Sequence, residues 1–162
     1  MKKQVWFSLC LGWLVGLVSG IIYIQKKAYQ DAEKWKQFSD KHLELFLLMI
    51  EWMKVKHKGK NIEDYFIREG FQTAAIYGMS YVGECLAGEL KGSHVEIKYA
   101  VDQKKKGDYQ GIKIIHSLEE LQEVDVIIVT AVSYFDEIQG SLMEKTSIPI
   151  VSLTDILLDI SI

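Results

Sequence analysis

The sequence predicts an α/β fold: a parallel sheet of five strands, preceded by a transmembrane helix and a long connecting helix. Three observations carry this. Residues 5–24 contain no charge, and residues 26–58 contain neither Pro nor Gly. From Phe71 onward, short apolar runs alternate with amphipathic ones, the pattern of parallel strands joined by crossover helices. The expected division is 1–25 as a membrane anchor, 26–70 as a helical connector and 71–162 as the sheet domain. Charge follows the same division: residues 1–70 carry net +4 and residues 71–162 net −7. The acidic second half argues against nucleic-acid binding, which needs a basic surface.

The first segment, "VWFSLCLGWLVGLVSGIIYI", is long enough to cross a hydrocarbon core of about 30 Å as a helix. Trp6 and Tyr23 lie near its ends, where amphipathic rings favour the interface. A cleaved signal peptide is the competing reading, with Lys2 and Lys3 as its basic start and Val18, Ser19 and Gly20 as a cleavage site. Ser8, Gly12, Gly16 and Gly20 recur every four residues, so small residues line one helix face where a second helix could approach. A homodimer through Gly12, Gly16 and Gly20 is expected from this. Lys26, Lys27, Lys34 and Lys36 follow the apolar run, outnumbering Lys2 and Lys3 before it. The expectation is a single-pass protein of the cell membrane with its C-terminal domain in the cytoplasm.

In the connector, Trp35, Phe38, His42, Leu45, Met49 and Trp52 recur at spacings of three and four, one face of a helix. The run "LELFLLMIEWM", residues 43–53, is apolar on more than one face and must be covered by its own domain, by a partner chain or by the bilayer surface. Dimerisation through the helical segment 35–52 is therefore a second expected contact. Lys54, Lys56, Lys58 and Lys60 follow, either as a solvated helix end or as contacts to anionic headgroups. Gly59 breaks the helix. Asn61 is placed to cap a short helix over 62–69 that Gly70 closes.

The sheet domain reads in order as strand "TAAIYG", helix "YVGECLAGELKG", strand "HVEIKYAVD", polar loop "DQKKKGDYQG" and strand "IKII". Then come the short helix "SLEELQEV" capped by Ser117, the strongly apolar strand "VDVIIVTAV", helix "YFDEIQGSLMEKT", strand "IPIVSL" and helix "TDILLDI". Right-handed crossovers favour the strand order 3-2-1-4-5, which makes this a small Rossmann-like domain.

In such a sheet, ligands bind beyond the carboxyl ends of the strands where the order reverses, between strands one and four. The loop there, "GMSYVG", runs Gly78, Met79, Ser80, Tyr81, Val82, Gly83. It follows the spacing of a dinucleotide fingerprint but has Ser80 at the middle glycine. Gly78 would serve the tight turn and Gly83 the close packing of helix on sheet. Ser80 could give a hydroxyl to a phosphate but keeps a Cβ where the backbone should approach. Asp102 ends strand two at the separation suited to a ribose, and Thr130 and Ala131 cap strand four. These nine residues form a candidate cradle for NAD(P) or a nucleotide sugar; the plainer reading is that the two glycines serve only a turn.

With those residues in place, the chain resembles a family of small Rossmann-like domains from bacterial cell-surface polysaccharide gene neighbourhoods, described as nucleoside-diphosphate-sugar epimerase-like or NAD(P)-binding-like. The resemblance covers about residues 40–162. It rests on "LELFLLMIEWMKVK", "GKNIEDYF", "AIYGMSYVGECLAGEL", "YAVD", "VDVIIVTAV" with "FDEI", and "IPIVSLTDIL". It implies a role in surface glycan synthesis, with Gly78, Ser80, Gly83 and Asp102 as candidate nucleotide contacts; the membrane anchor, outside the resemblance, would place the chain beside a membrane-bound glycosyltransferase partner. A similar short domain serves sugar-nucleotide binding in some sugar acyltransferases.

Catalytic chemistry finds no constellation. Tyr109 with Lys113, and Tyr23 with Lys27, match the Tyr-x-x-x-Lys letters of short-chain dehydrogenases, but neither pair lies on a suitable helix. Cys10 and Cys85 make no disulfide framework, and His42, His57, His94 and His116 have no metal-ligand spacing. Cys85, one turn into the helix after the loop, has no histidine near it in sequence. Glu84 and Glu89 read as solvated. The leading expectation is a membrane-anchored accessory protein that binds a nucleotide or nucleotide sugar. One alternative is a ligand-free interaction module acting through its connecting helix. Another is a small NAD(P)-dependent sugar-modifying enzyme completed by a partner chain.

Overall fold

The computed structural model describes the backbone of residues 2–162 and the side chains of residue 16 and residues 19–162. It comprises two compact units, Met1–Leu43 and Glu44–Ile162. Helix α1 is Lys2–His57, uninterrupted because no Pro or Gly breaks the run after Gly20 until Gly59. At Gly59 the backbone takes φ +71 and the helix ends.

The expected membrane-spanning helix is corrected by the structure. Among the described residues no helix is long and apolar enough to cross a membrane. The apolar part of α1 whose side chains are described ends at Ile24, and Lys26, Lys27, Asp31, Glu33, Lys34 and Lys36 follow. The remainder of the 5–24 segment, with Ser8, Cys10 and Gly12, lies outside the described side chains. The single-pass topology, the cell-membrane location with a cytoplasmic domain, the membrane as partner and the placement beside a membrane-bound glycosyltransferase fall with the span. So does the homodimer through Gly12, Gly16 and Gly20, whose helix face was argued from the bilayer. At Gly16 and Gly20 an added Cβ would meet nothing within 4 Å.

In the second unit, α2 (Glu63–Glu69) leads into β1 (Thr73–Tyr77), α3 (Tyr81–Glu89) and β2 (Glu96–Val101). Then follow β3 (Asp108–Tyr109), β4 (Ile112–Ile115), β5 (Val126–Val129), α4 (Phe135–Met143), β6 (Ile150–Ser152) and α5 (Leu153–Ser161). The sheet order is β3-β4-β2-β1-β5-β6. Five strands are parallel, but β3 pairs antiparallel with β4 through Asp108↔Lys113 and Tyr109↔Ile112. The sheet is therefore six-stranded and mixed, not five-stranded and parallel. The extra strand comes from the polar loop "DQKKKGDYQG". Gln110 at φ 52 and Gly111 at φ 92 turn the chain back on itself, and the Asp108 carboxylate accepts the Gly111 N–H at 2.7 Å.

Each sheet face buries its own apolar layer. One face packs Ala74, Ile76, Ala100 and Ile128 against α1, α2, α3 and α5. The other packs Ala75, Tyr99, Ile127 and Val129 against Leu142 of α4. A register shift between β1 and β2 after Ala74 resets the alternation. Ile97 and Tyr99, two residues apart, thus serve opposite faces. Tyr99 is buried, and its phenol donates to the Gln122 carbonyl at 2.9 Å and accepts the Gln122 N–H at 3.2 Å. Burial pushes this phenol above its ordinary pKa, against the opposing effect of the Gln122 N–H donated to its oxygen.

The end of α1 docks through a stripe other than the one its spacing suggests. Leu48, Trp52 and Val55 are buried in the core, whereas Leu45, Phe46, Leu47, Met49 and Met53 remain exposed. Of the expected stripe in this unit, Trp52 alone packs inward. Its indole N–H donates to Glu89 Oε2 at 2.6 Å. The other oxygen of Glu89 takes Lys56 Nζ at 2.5 Å and the Ile62 N–H at 3.4 Å. Glu89 is thus a tie between α3, the end of α1 and the approach to α2, not a solvated acid. Because this tie engages Trp52, the segment 35–52 does not present its expected stripe whole to a second copy.

Smaller expectations shift too. Asn61 does not cap α2 with its side chain; Asp64 reaches back to accept the Asn61 N–H at 2.9 Å. Gly70 closes α2 at φ 77. Ser117 accepts the Glu119 N–H, but the element it starts is a single 3-10 turn over Leu118–Glu120.

Candidate functional site

The nine sequence-selected residues converge at the carboxyl ends of β1, β2 and β5. Gly78 leaves β1 at φ +100, a conformation disfavoured for any residue with a Cβ, and an added Cβ would lie 2.9 Å from Thr130 Oγ1. Thr130 is buried, and its hydroxyl donates toward the carbonyls of Gly78 and Tyr77. Ala131 borders the same turn, its Cβ 3.3 Å from that added carbon. At Gly83 an added Cβ would sit 2.2 Å from the Gly78 carbonyl oxygen. The start of α3 therefore lies directly on the loop, and Val82 and Gly83 are buried beneath it. Met79 is wholly buried, while Ser80 and Tyr81 form the exposed rim.

Ser80 has φ −83 and ψ −166, ordinary extended backbone. Nothing in this turn demands glycine at that position, which accounts for the substitution in the fingerprint. Its hydroxyl makes no capping bond to α3.

Asp102 performs a task that sequence reasoning did not foresee. Its Oδ2 accepts the Met79 N–H at 2.8 Å, and its Oδ1 accepts the Lys104 and Lys105 N–H groups, each at 2.8 Å. A carboxylate offers about four lone-pair sites, so three backbone donors occupy most of its capacity. The residue placed for a ribose instead fastens the β1 loop to the loop after β2. Burial, the largest single influence, pushes its pKa up. The bonds from Lys105, Lys104 and Met79, with the Lys105 charge, outweigh burial and hold it below the ordinary aspartate value. Glu84, in the first turn of α3, forms an ion pair with Lys105, whose ammonium also lies 4.7 Å from the centre of the Tyr109 ring. Glu84 is thus engaged in front of the loop, and Tyr109 serves an edge strand. The residues present fit a dinucleotide poorly, because the acidic group that should read the ribose is taken up inside the protein.

The linkage gives a test. A carboxylate whose pKa is lower folded than unfolded stabilises the fold above its unfolded value, near 3.9. That contribution is lost as pH falls through the lower folded value. Asp102→Asn keeps one acceptor but sets an amide N–H against a backbone N–H, and is expected to cost about 1–3 kcal/mol at pH 7. The gap between wild type and variant in urea melts should stay constant from pH 7 to 5 and narrow below pH 4. A gap independent of pH down to 3 would refute the role.

A second concavity, of about 690 Å³, lies beside the turn that follows β5. Its walls come from α1 (Leu47, Leu48), the turn before α4 (Val132, Tyr134), and α5 (Thr154, Leu158). Sequence reasoning missed it. The apolar surplus in "LELFLLMIEWM" was the available signal, but only the tertiary fold shows which side of α1 borders the cleft. Among the described residues no group of three or more His, Cys, Asp or Glu is placed to hold a metal. Cys85 is exposed and free.

No family model matches the chain and no curated protein or solved structure is significantly similar to it, so the resemblance drawn from the sequence rests on the quoted segments alone.

Proposed function

We propose that this chain is a protein-interaction module that acts through α1, with the α/β unit as the rigid base that holds the helix end. The observation that carries this reading is the apolar surface left open on the helix. Phe46 is 61% exposed and Met53 55% exposed, on a helix whose buried stripe is already satisfied by Leu48, Trp52 and Val55. In the first unit Trp35 and Phe38 are likewise exposed, stacked edge-to-face at 6.1 Å. Large exposed apolar groups gathered on one element mark an interaction surface. The Gly78–Gly83 turn supports the same reading, since its special residues are required by internal packing with or without a ligand.

The test is a photo-crosslinking amino acid placed at Phe46 or Met53 of the full chain in its native cells. Discrete adducts are expected at both positions and none at Gln122, an exposed control outside α1. Adducts no stronger than the control would reject the module. In parallel, NAD, NADP and UDP-sugars at millimolar concentration should leave the melting temperature unchanged. A ligand held at the loop with a dissociation constant a hundredfold lower would stabilise by about 2.7 kcal/mol.

A further inference from the structure

We infer that the cleft between α1, α4 and α5 receives an amphipathic helix of the partner protein whose apolar anchors are flanked by Lys or Arg. This rests on the module reading and deepens it by naming what the helix binds. Three features of the cleft support it.

Its floor and lip are apolar and open. Leu47, Tyr134 and Leu158 are 52%, 45% and 46% exposed where they line it, and the volume admits several large side chains.

Its charged residues are all of one sign. Glu44 and Glu51 stand on the α1 side and Asp136 and Glu137 on the α4 side, with no Lys, Arg or His among the lining residues. Glu51 is paired with Lys54 at 2.6 Å, while Glu44, Asp136 and Glu137 are exposed. An apolar trough between acidic banks is complementary to apolar anchors between basic ones. Opposed banks favour that partner over an acidic one and speed its arrival.

Its walls are helices and a turn. They offer no row of open strand N–H and C=O groups, so strand addition has no template there. A helix laid in the groove, with anchors at i, i+3 or i+4, and i+7, is the mode such walls accept.

The experiment uses the full chain and two fluorescein-labelled helical peptides of about 18 residues. They share one leucine stripe, and the remaining positions are Lys in one and Glu in the other. Fluorescence anisotropy is expected to show the Lys peptide binding at least about tenfold more tightly than the Glu peptide. The double variant Asp136→Asn/Glu137→Gln should weaken the Lys peptide about tenfold. The variant Glu119→Gln/Glu120→Gln, with the same charge change outside the cleft, should leave it unchanged. Leu47→Asp, at an exposed position that does not threaten the fold, should abolish binding.

Equal affinity for both peptides, equal weakening by both double variants, or no binding of the Lys peptide would each overturn the assignment. Crosslinks at Phe46 without Lys-peptide binding would sink this partner chemistry and leave the module standing. Absence of both would remove the two together.

Discussion

Gly83→Ala is expected to destabilise the second unit by about 3 kcal/mol, although it adds a single methyl group to a helix. Helix propensity alone would predict a gain, since alanine is favoured over glycine by about 0.8–1.0 kcal/mol in a helix interior. The geometry reverses the sign. The new carbon would stand 2.2 Å from the Gly78 carbonyl oxygen, and that oxygen belongs to backbone that cannot swing aside. Moving it would break the contact with the Thr130 hydroxyl and strain the anchorage of Met79 to Asp102. Moving α3 instead would open the layer in which Val82 and Leu86 pack on the sheet. Gly88, in the same helix, is the internal control: a Cβ there meets nothing within 4 Å. Gly88→Ala should stabilise by a few tenths to about 1 kcal/mol. Urea denaturation of the two variants side by side decides the matter; similar midpoints would show that the loop and helix are not packed as described.

Trp52→Ala is expected to cost about 3–5 kcal/mol, the range for truncating a large buried aromatic. Trp52 is 6% exposed, and its removal empties the space between the end of α1 and α3 while leaving Glu89 without its indole partner. Hydrogen exchange should then accelerate in residues 44–57 before it does in β1 or β5, because the helix end would lose its anchorage ahead of the sheet. Trp52→Phe separates the two contributions, since it retains most of the ring but removes the donor. A loss of about 1 kcal/mol is expected from the part-buried Oε2 left without its donor, since Oε1 keeps Lys56 and the Ile62 N–H. In a double-mutant cycle with Glu89→Ala, which removes the acceptor, a coupling above about 0.5 kcal/mol would assign that loss to the bond. A coupling near zero would make Glu89 a bystander.

Much of the sheet was legible, and the reason is physical. Buried parallel strands must be apolar nearly throughout, so "TAAIY" and "VDVIIV" stand out against the polar segments around them. The right-handed crossover then restricts how they can be ordered. Strand β3 was not legible. It has two residues, Asp108 and Tyr109, and owes its existence to a turn rather than to an apolar pattern. Nor could spacing choose the buried stripe of α1. Where residues 43–53 are apolar on more than one face, several three-and-four patterns coexist, and the Trp52–Glu89 bond selects among them only when α3 is in place.

The turn after β1 teaches a related lesson. Gly78 and Gly83 stand where an added Cβ would collide with the turn, but the letters did not show what fastens the loop. That fastening lies in the Asp102 hydrogen bonds, which connect residues 23, 2 and 3 positions apart. Glu89 reads as solvated in the sequence for the same reason: its partners lie 37 and 27 residues away.

The mixed sheet also bears on how this protein behaves when crowded. Its outer strands are the two-residue β3 and the three-residue β6, and β6 is entered through Pro149, whose carbonyl is already taken by the Ile127 N–H at 2.8 Å. Proline supplies no N–H for a further strand. Neither border is long enough to seed the stacking of one molecule's sheet on another's, the route by which open edges grow into fibrils. Any stickiness at high concentration should therefore be helical in its spectroscopic signature, and dyes that report cross-β order should stay dark.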